Sequence, residues 1–122
     1  MIAYSTIGTN DMDRAVAFYD AVLGAIGGVR EVTTPAWTRY GRPGERAKIC
    51  LTPPFDKQRA AFGNGAMWAF EAKDRAAVDA FHAAGLALGG SDEGPPGIRE
   101  DTHYVAYVRD PEGNKLCAFA PK

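Results

Sequence analysis

The sequence predicts an α+β fold assembled from two related units, each combining one amphipathic helix with short strands. Three observations carry this. The segment DRAVAFYDAVLGAIGG at Asp13 to Gly28 returns as DRAAVDAFHAAGLALGG at Asp74 to Gly90, and an offset of 63 residues brings Ala17-Phe18-Tyr19 onto Ala80-Phe81-His82. Hydrophobic spacing changes from helical to alternating beyond the first copy. Clusters of Gly, Pro, Asn and Asp separate the periodic segments.

Ile2 to Ile7, rich in Tyr, Ser, Thr and Ile and closed by Gly8, reads as a first strand with Tyr4 and Thr6 on one face. Asn10 and Asp11 offer oxygens to the free N–H groups of a helix start. Met12, Ala15, Val16, Phe18, Tyr19, Val22 and Leu23 then recur at helical spacing until Gly24, Gly27 and Gly28. Three β runs follow at Val29 to Thr34, Ala36 to Tyr40 and Ala47 to Thr52. Alternation sets Trp37 and Arg39 against Thr38 and Tyr40, and Lys48, Cys50 and Thr52 against Ile49 and Leu51. This makes unit one, residues 1–53, a strand, a helix and three strands, and the aperiodic stretch 54–65 links it to unit two, residues 66–122.

Unit two opens with Ala66 to Ala72, where Met67, Ala69 and Glu71 face away from Trp68 and Phe70. Asp74 caps a helix whose apolar stripe is Ala77, Val78, Phe81, Ala84 and Leu88, ended by Gly89-Gly90, and His82 reads as a surface residue beside that stripe. SDEGPPGIRED, Ser91 to Asp101, reads as a surface loop where a strand is due. His103 to Arg109 and Lys115 to Phe119 flank Asp110-Pro-Glu-Gly-Asn114, the signature of a tight hairpin. Arg109 beside Asp110 suggests a salt bridge in that hairpin.

Fourteen Lys plus Arg against fifteen Asp plus Glu leave a net charge of -1, so the chain carries no electrostatic footprint for nucleic acid or an anionic membrane. No stretch approaches the roughly 20 apolar residues of a membrane span, and a cytoplasmic protein is expected. Cys50 and Cys117 lie far apart and outside any CxxC pattern, which predicts buried free thiols rather than a zinc site or a disulfide framework.

TNDMDRAVAFYDAVLG (Thr9 to Gly24), YGRPGERAKICLTPPFD (Tyr40 to Asp56), DRAAVDAFHAAGLALGG and YVAYVRDPEGNKLCAF (Tyr104 to Phe119) together resemble the vicinal oxygen chelate superfamily, the group of glyoxalase I, bleomycin-resistance proteins and extradiol dioxygenases. The resemblance implies paired βαβββ units whose mixed sheets curve into a cup, helices outside. Metalloenzymes of that family hold a divalent ion with His or Glu, donors that suit such ions. The resemblance places three of those positions on Tyr4, Met67 and Cys117, and Cys50 is the plausible occupant of the fourth. Met is a soft ligand and phenol ionises only at high pH, so the set argues against a divalent metal cofactor and would suit at most a soft ion such as Cu(I).

What the resemblance then implies is a protein without a cofactor that binds a small, partly apolar molecule, with Tyr4, Trp37, Arg39, Cys50, Met67, Tyr107 and Arg109 as binding candidates. Trp68 and Tyr104 add further aromatic faces. The enzymatic alternative is a glyoxalase-like lyase or dioxygenase-related activity using His103 as acid or base, or Cys117 as nucleophile if a cation such as His103, Arg39 or Lys48 lowers its pKa. A third alternative is a protein-interaction module whose cup is filled by side chains. The resemblance allows the units to pair within one chain or across a dimer, and a homodimer is expected.

Overall fold

In the computed structural model, which describes all 122 residues, the order is β1 (Tyr4–Gly8), α1 (Met12–Gly24), β2 (Val29–Thr34), β3 (Trp37–Gly41), β4 (Lys48–Thr52), β5 (Trp68–Glu71), α2 (Arg75–Ala87), β6 (Ser91–Arg99), β7 (His103–Arg109) and β8 (Lys115–Pro121). Each half is therefore a complete βαβββ unit. Its four strands form a mixed sheet ordered β1-β4-β3-β2 in one half and β5-β8-β7-β6 in the other, both open rather than closed into a barrel. In each sheet the first strand runs parallel to the last, and the remaining pairs are antiparallel. No helix is long and apolar enough to cross a membrane.

Local chemistry explains the helix limits. Asp11 and Asp74 adopt extended backbone and accept from the N–H groups of Arg14 and Ala77, satisfying donors that a helix start leaves free. Gly27 and Gly89 take the left-handed conformation just past the two helix ends. Phe18, Tyr19 and Val22 of α1 meet Val78 and Phe81 of α2 in one buried cluster that also takes residues from both sheets. The units thus share a core, with the helices on one side of each sheet and the opposite faces left free of helix.

The hairpin turn of unit two is also a clamp on unit one. Glu112 accepts from the Asn10 backbone N–H (2.8 Å), Asn10 Nδ2 (2.7 Å), Thr9 Oγ1 (3.2 Å) and Arg14 Nη2 (3.0 Å). Burial pushes the Glu112 carboxyl up, but the hydrogen bonds from Asn10, Arg14 and Thr9 outweigh it and hold the group below its ordinary value. In return, Arg42 on the β3–β4 turn donates to the backbone carbonyl of Glu71 at the end of β5.

Three expectations need correction. Ser91 to Arg99 is a strand, not a loop, and pairs with β7. Pro95 and Pro96 lack the N–H of a regular ladder, but β6 is an edge strand and accommodates them through register shifts between Asp92 and Gly94 and between Gly94 and Gly97. His82 is buried, because β6 covers the flank of α2 on which it lies and supplies Asp92, whose Oδ1 stands 2.9 Å from His82 Nε2. Arg109 does not pair with Asp110. Its guanidinium binds Glu93 of β6 at 2.9 and 3.0 Å and the Gly113 carbonyl at 2.8 Å, while Asp110 points inward.

Candidate functional site

The helix-free face of sheet one is built row by row from its register. Tyr4 neighbours Lys48, Thr6 neighbours Cys50, and Gly8 neighbours Thr52; Arg39 of β3 continues the row of Cys50. The rings of Tyr4 and Trp37 meet edge to face, centroids 6.0 Å apart. Glu31 of β2 accepts from Lys48 Nζ at 2.9 Å and Arg39 Nε at 3.1 Å. The Lys48 hydrogen bond, aided by Arg39 against partial desolvation, keeps the Glu31 carboxyl below its ordinary value. Beside this face, Thr6, Trp37 and Thr52 and the strap containing Phe55 and Arg59 border an open cavity of about 590 Å³. Thr38, Tyr40 and Leu51 point the other way, into the core or against α1.

Sheet two repeats the plan. Ala69, Cys117, Tyr107 and Gly94 form one row, and Glu71, Phe119, Val105 and Gly97 the next. Met67 stands exposed just before β5. Lys115 lies over the Tyr107 ring at 5.2 Å, and His103 packs edge-on against Phe119 at 5.4 Å. Gly94 has a packing reason: a Cβ there would come within 2.9 Å of Tyr107. Trp68 and Tyr104 do not join this face. Trp68 packs on the core and donates to Ser5 Oγ at 2.9 Å, and the Tyr104 hydroxyl donates to Asp79 of α2 at 2.6 Å.

The two catalytic candidates are not brought together. His103 lies opposite Pro121, four residues along β8 from Cys117, which is roughly 13 Å of strand. Arg39 sits beside Cys50 rather than Cys117, and Lys48 is on that same strand β4. Burial pushes the Cys117 thiol up to about 11, only partly offset by Lys115, and burial likewise raises Cys50 against the pull of Arg39. A nucleophilic thiol needs the opposite shift. At a pH of about 8, Cys117 should therefore react with iodoacetamide on the order of a hundredfold more slowly than an unperturbed thiol. A timed labelling pulse read by mass spectrometry checks this, and labelling of the folded protein as fast as in urea would contradict it.

A relationship that the sequence reading passed over now becomes visible. Cys50 pairs with Thr6 and Cys117 with Ala69, and Thr6 and Ala69 are separated by the same 63 residues as the helix repeat. The two cysteines thus occupy one position of the duplicated unit. The signal was present as Lys48-Ile-Cys50-Leu against Lys115-Leu-Cys117-Ala, displaced from the helix offset by the different lengths of the intervening loops.

The Glyoxalase/Bleomycin resistance protein/Dioxygenase superfamily model matches residues 1–118. A glyoxalase/bleomycin resistance protein from Albidiferax ferrireducens T118 is 41% identical over 100% of this chain and 99% of that one, with a TM-score of 0.92. The chain belongs to this superfamily. Two more distant structures share the superfamily fold. Lactoylglutathione lyase from Agrobacterium tumefaciens is 23% identical over 98% of this chain and 92% of that one (TM-score 0.69). TnmS3, an antibiotic binding protein from Streptomyces sp. CB03234, is 19% identical over 100% and 96% (TM-score 0.72). No curated protein matches the chain in sequence.

The superfamily resemblance assigns three of the usual metal positions, to Tyr4 in unit one and to Met67 and Cys117 in unit two, and Cys50 is the plausible occupant of the fourth. This donor set does not fit a hard divalent ion: it contains no imidazole or carboxylate, and burial raises both thiols above their ordinary values. Nowhere in the chain do three His, Cys, Asp or Glu side chains converge in an arrangement able to hold a metal.

Proposed function

We propose that this superfamily member binds a small, partly apolar molecule on its helix-free faces and does so without a resident divalent metal. The observation that carries the reading is the cavity beside sheet one, about 590 Å³, bordered by Trp37 and Phe55 on a scaffold where the resemblance puts Tyr4, Met67 and Cys117 at three usual metal positions. A volume of that order suits a small organic ligand, and aromatic walls supply dispersion and desolvation energy. The likeness to TnmS3, which binds an antibiotic, agrees with this use of the fold. An enzymatic role for Cys117 is less favoured because burial raises its thiol.

The working form is a homodimer. β1 and β5 are edge strands, and Ile2, Tyr4 and Met67 beside them are 64%, 58% and 46% exposed, an apolar surface that a second copy would cover. Light scattering should give about twice 13.1 kDa. Equilibrium dialysis against Ni, Zn, Fe and Mn with elemental analysis should find no stoichiometric metal, while a hydrophobic dye should bind and quench the fluorescence of Trp37. Tight, stoichiometric uptake of any one metal would sink the proposal.

A further inference from the structure

We propose that the cavity beside sheet one selects an anionic ligand, a small aromatic carboxylate, with Arg59 as its ion-pair partner and Trp37 as its stacking wall. This rests on the binding function proposed above and names the class of molecule bound.

Arg59 is the one cation that lines the cavity. Arg59 has no hydrogen-bond or ion-pair partner within the chain, as is also true of Arg46 and Arg75, whereas Arg39 on the neighbouring strand is paired with Glu31, so of the cations on this face Arg59 is the one left free at the cavity. Asp56 lines the same cavity and is not paired with Arg59; its Oδ1 accepts from the Gln58 N–H at 3.0 Å. Within the lining Arg59 is balanced by Asp56, and the surplus positive charge on this face comes from the neighbouring cluster, Arg39 and Lys48 against Glu31.

The shape of the strap agrees. Pro53 and Pro54 stiffen its start, and the Lys57 N–H closes a turn onto the Pro54 carbonyl at 3.1 Å, with Lys57 in the left-handed region. That turn holds Phe55 at the cavity wall with its ring wholly in solvent. Trp37 and Phe55 both border the cavity and offer aromatic surface to a flat molecule, and a guanidinium matches a carboxylate with two parallel hydrogen bonds.

Isothermal titration calorimetry with naphthoate and its neutral isostere naphthamide tests this on the intact protein. Wild type should bind naphthoate about tenfold more tightly, a preference that weakens with salt. Arg59→Gln, a change on the exposed strap, should abolish the preference by weakening naphthoate far more than naphthamide, while Trp37→Ala should weaken both probes alike. Equal affinities in wild type, or a preference that survives Arg59→Gln, would overturn the anionic selectivity while leaving the binding function standing. If neither probe binds at millimolar concentration, both proposals fall.

Discussion

Asp110→Ala is expected to lower the stability of the protein by about 4 kcal/mol, roughly a quarter or more of what a domain of this size commonly has. The buried Asp110 carboxylate accepts from the Tyr19 hydroxyl at 2.6 Å and from the Glu112 N–H, the Asn114 N–H and Asn114 Nδ2, each at 2.9 Å. Truncation leaves the Tyr19 hydroxyl and the Asn114 donors buried without partners, at about 1–3 kcal/mol for each unmade bond. It also unties the hairpin turn from α1 and loosens the Glu112 clamp beside it. Burial, then the Asp110 charge, already push the Tyr19 hydroxyl well above its ordinary value, so it acts there as a permanent donor. Tyr19→Phe removes one donor and leaves the carboxylate three others, for a loss of about 1 kcal/mol. Urea unfolding of the three proteins checks the order, and an Asp110→Ala variant within about 1 kcal/mol of wild type would refute the account.

Gly90→Ala comes next, with an expected loss of about 3 kcal/mol. An added Cβ would lie 2.5 Å from the Arg109 carbonyl oxygen, 2.7 Å from the Gly85 carbonyl oxygen and 2.9 Å from the Phe18 ring. Two of those neighbours are backbone, so relief requires moving α2 or the end of β7. The adjacent Gly89 is constrained differently: its left-handed conformation has room for a methyl group, and substitution there costs about 1 kcal/mol of backbone strain. Gly24→Ala is the control, since nothing lies within 4 Å of its Cβ direction. Thermal melts should rank Gly90→Ala lowest and Gly24→Ala nearest wild type; the reverse order would show that the junction yields more easily than its contacts suggest.

Both sites show where reading the chain stops. Gly89-Gly90 is legible as a helix stop, but only the approach of β7 and α1 separates the roles of the two glycines. The DPEGN turn is legible as a hairpin, yet its use as a clamp depends on partners such as Tyr19, separated from Asp110 by 91 residues. The misreading of β6 has a local cause, because Gly-Pro-Pro-Gly carries turn chemistry that an edge strand tolerates. The error about His82 followed from it, since the side chain that buries and partners His82 belongs to β6.

The sequence by itself determined both helices with their caps, the alternating faces of the strands and the superfamily. Those properties rest on spacing within one element or on the repeat, interactions that span a turn of helix or a pair of strands. Only the tertiary structure decided that Cys50 and Cys117 occupy equivalent rows, that Trp37 faces a cavity while Trp68 faces the core, and that His103 stands apart from Cys117. These depend on strand register and on how two units share a core, which distant side chains settle together through burial and hydrogen bonding.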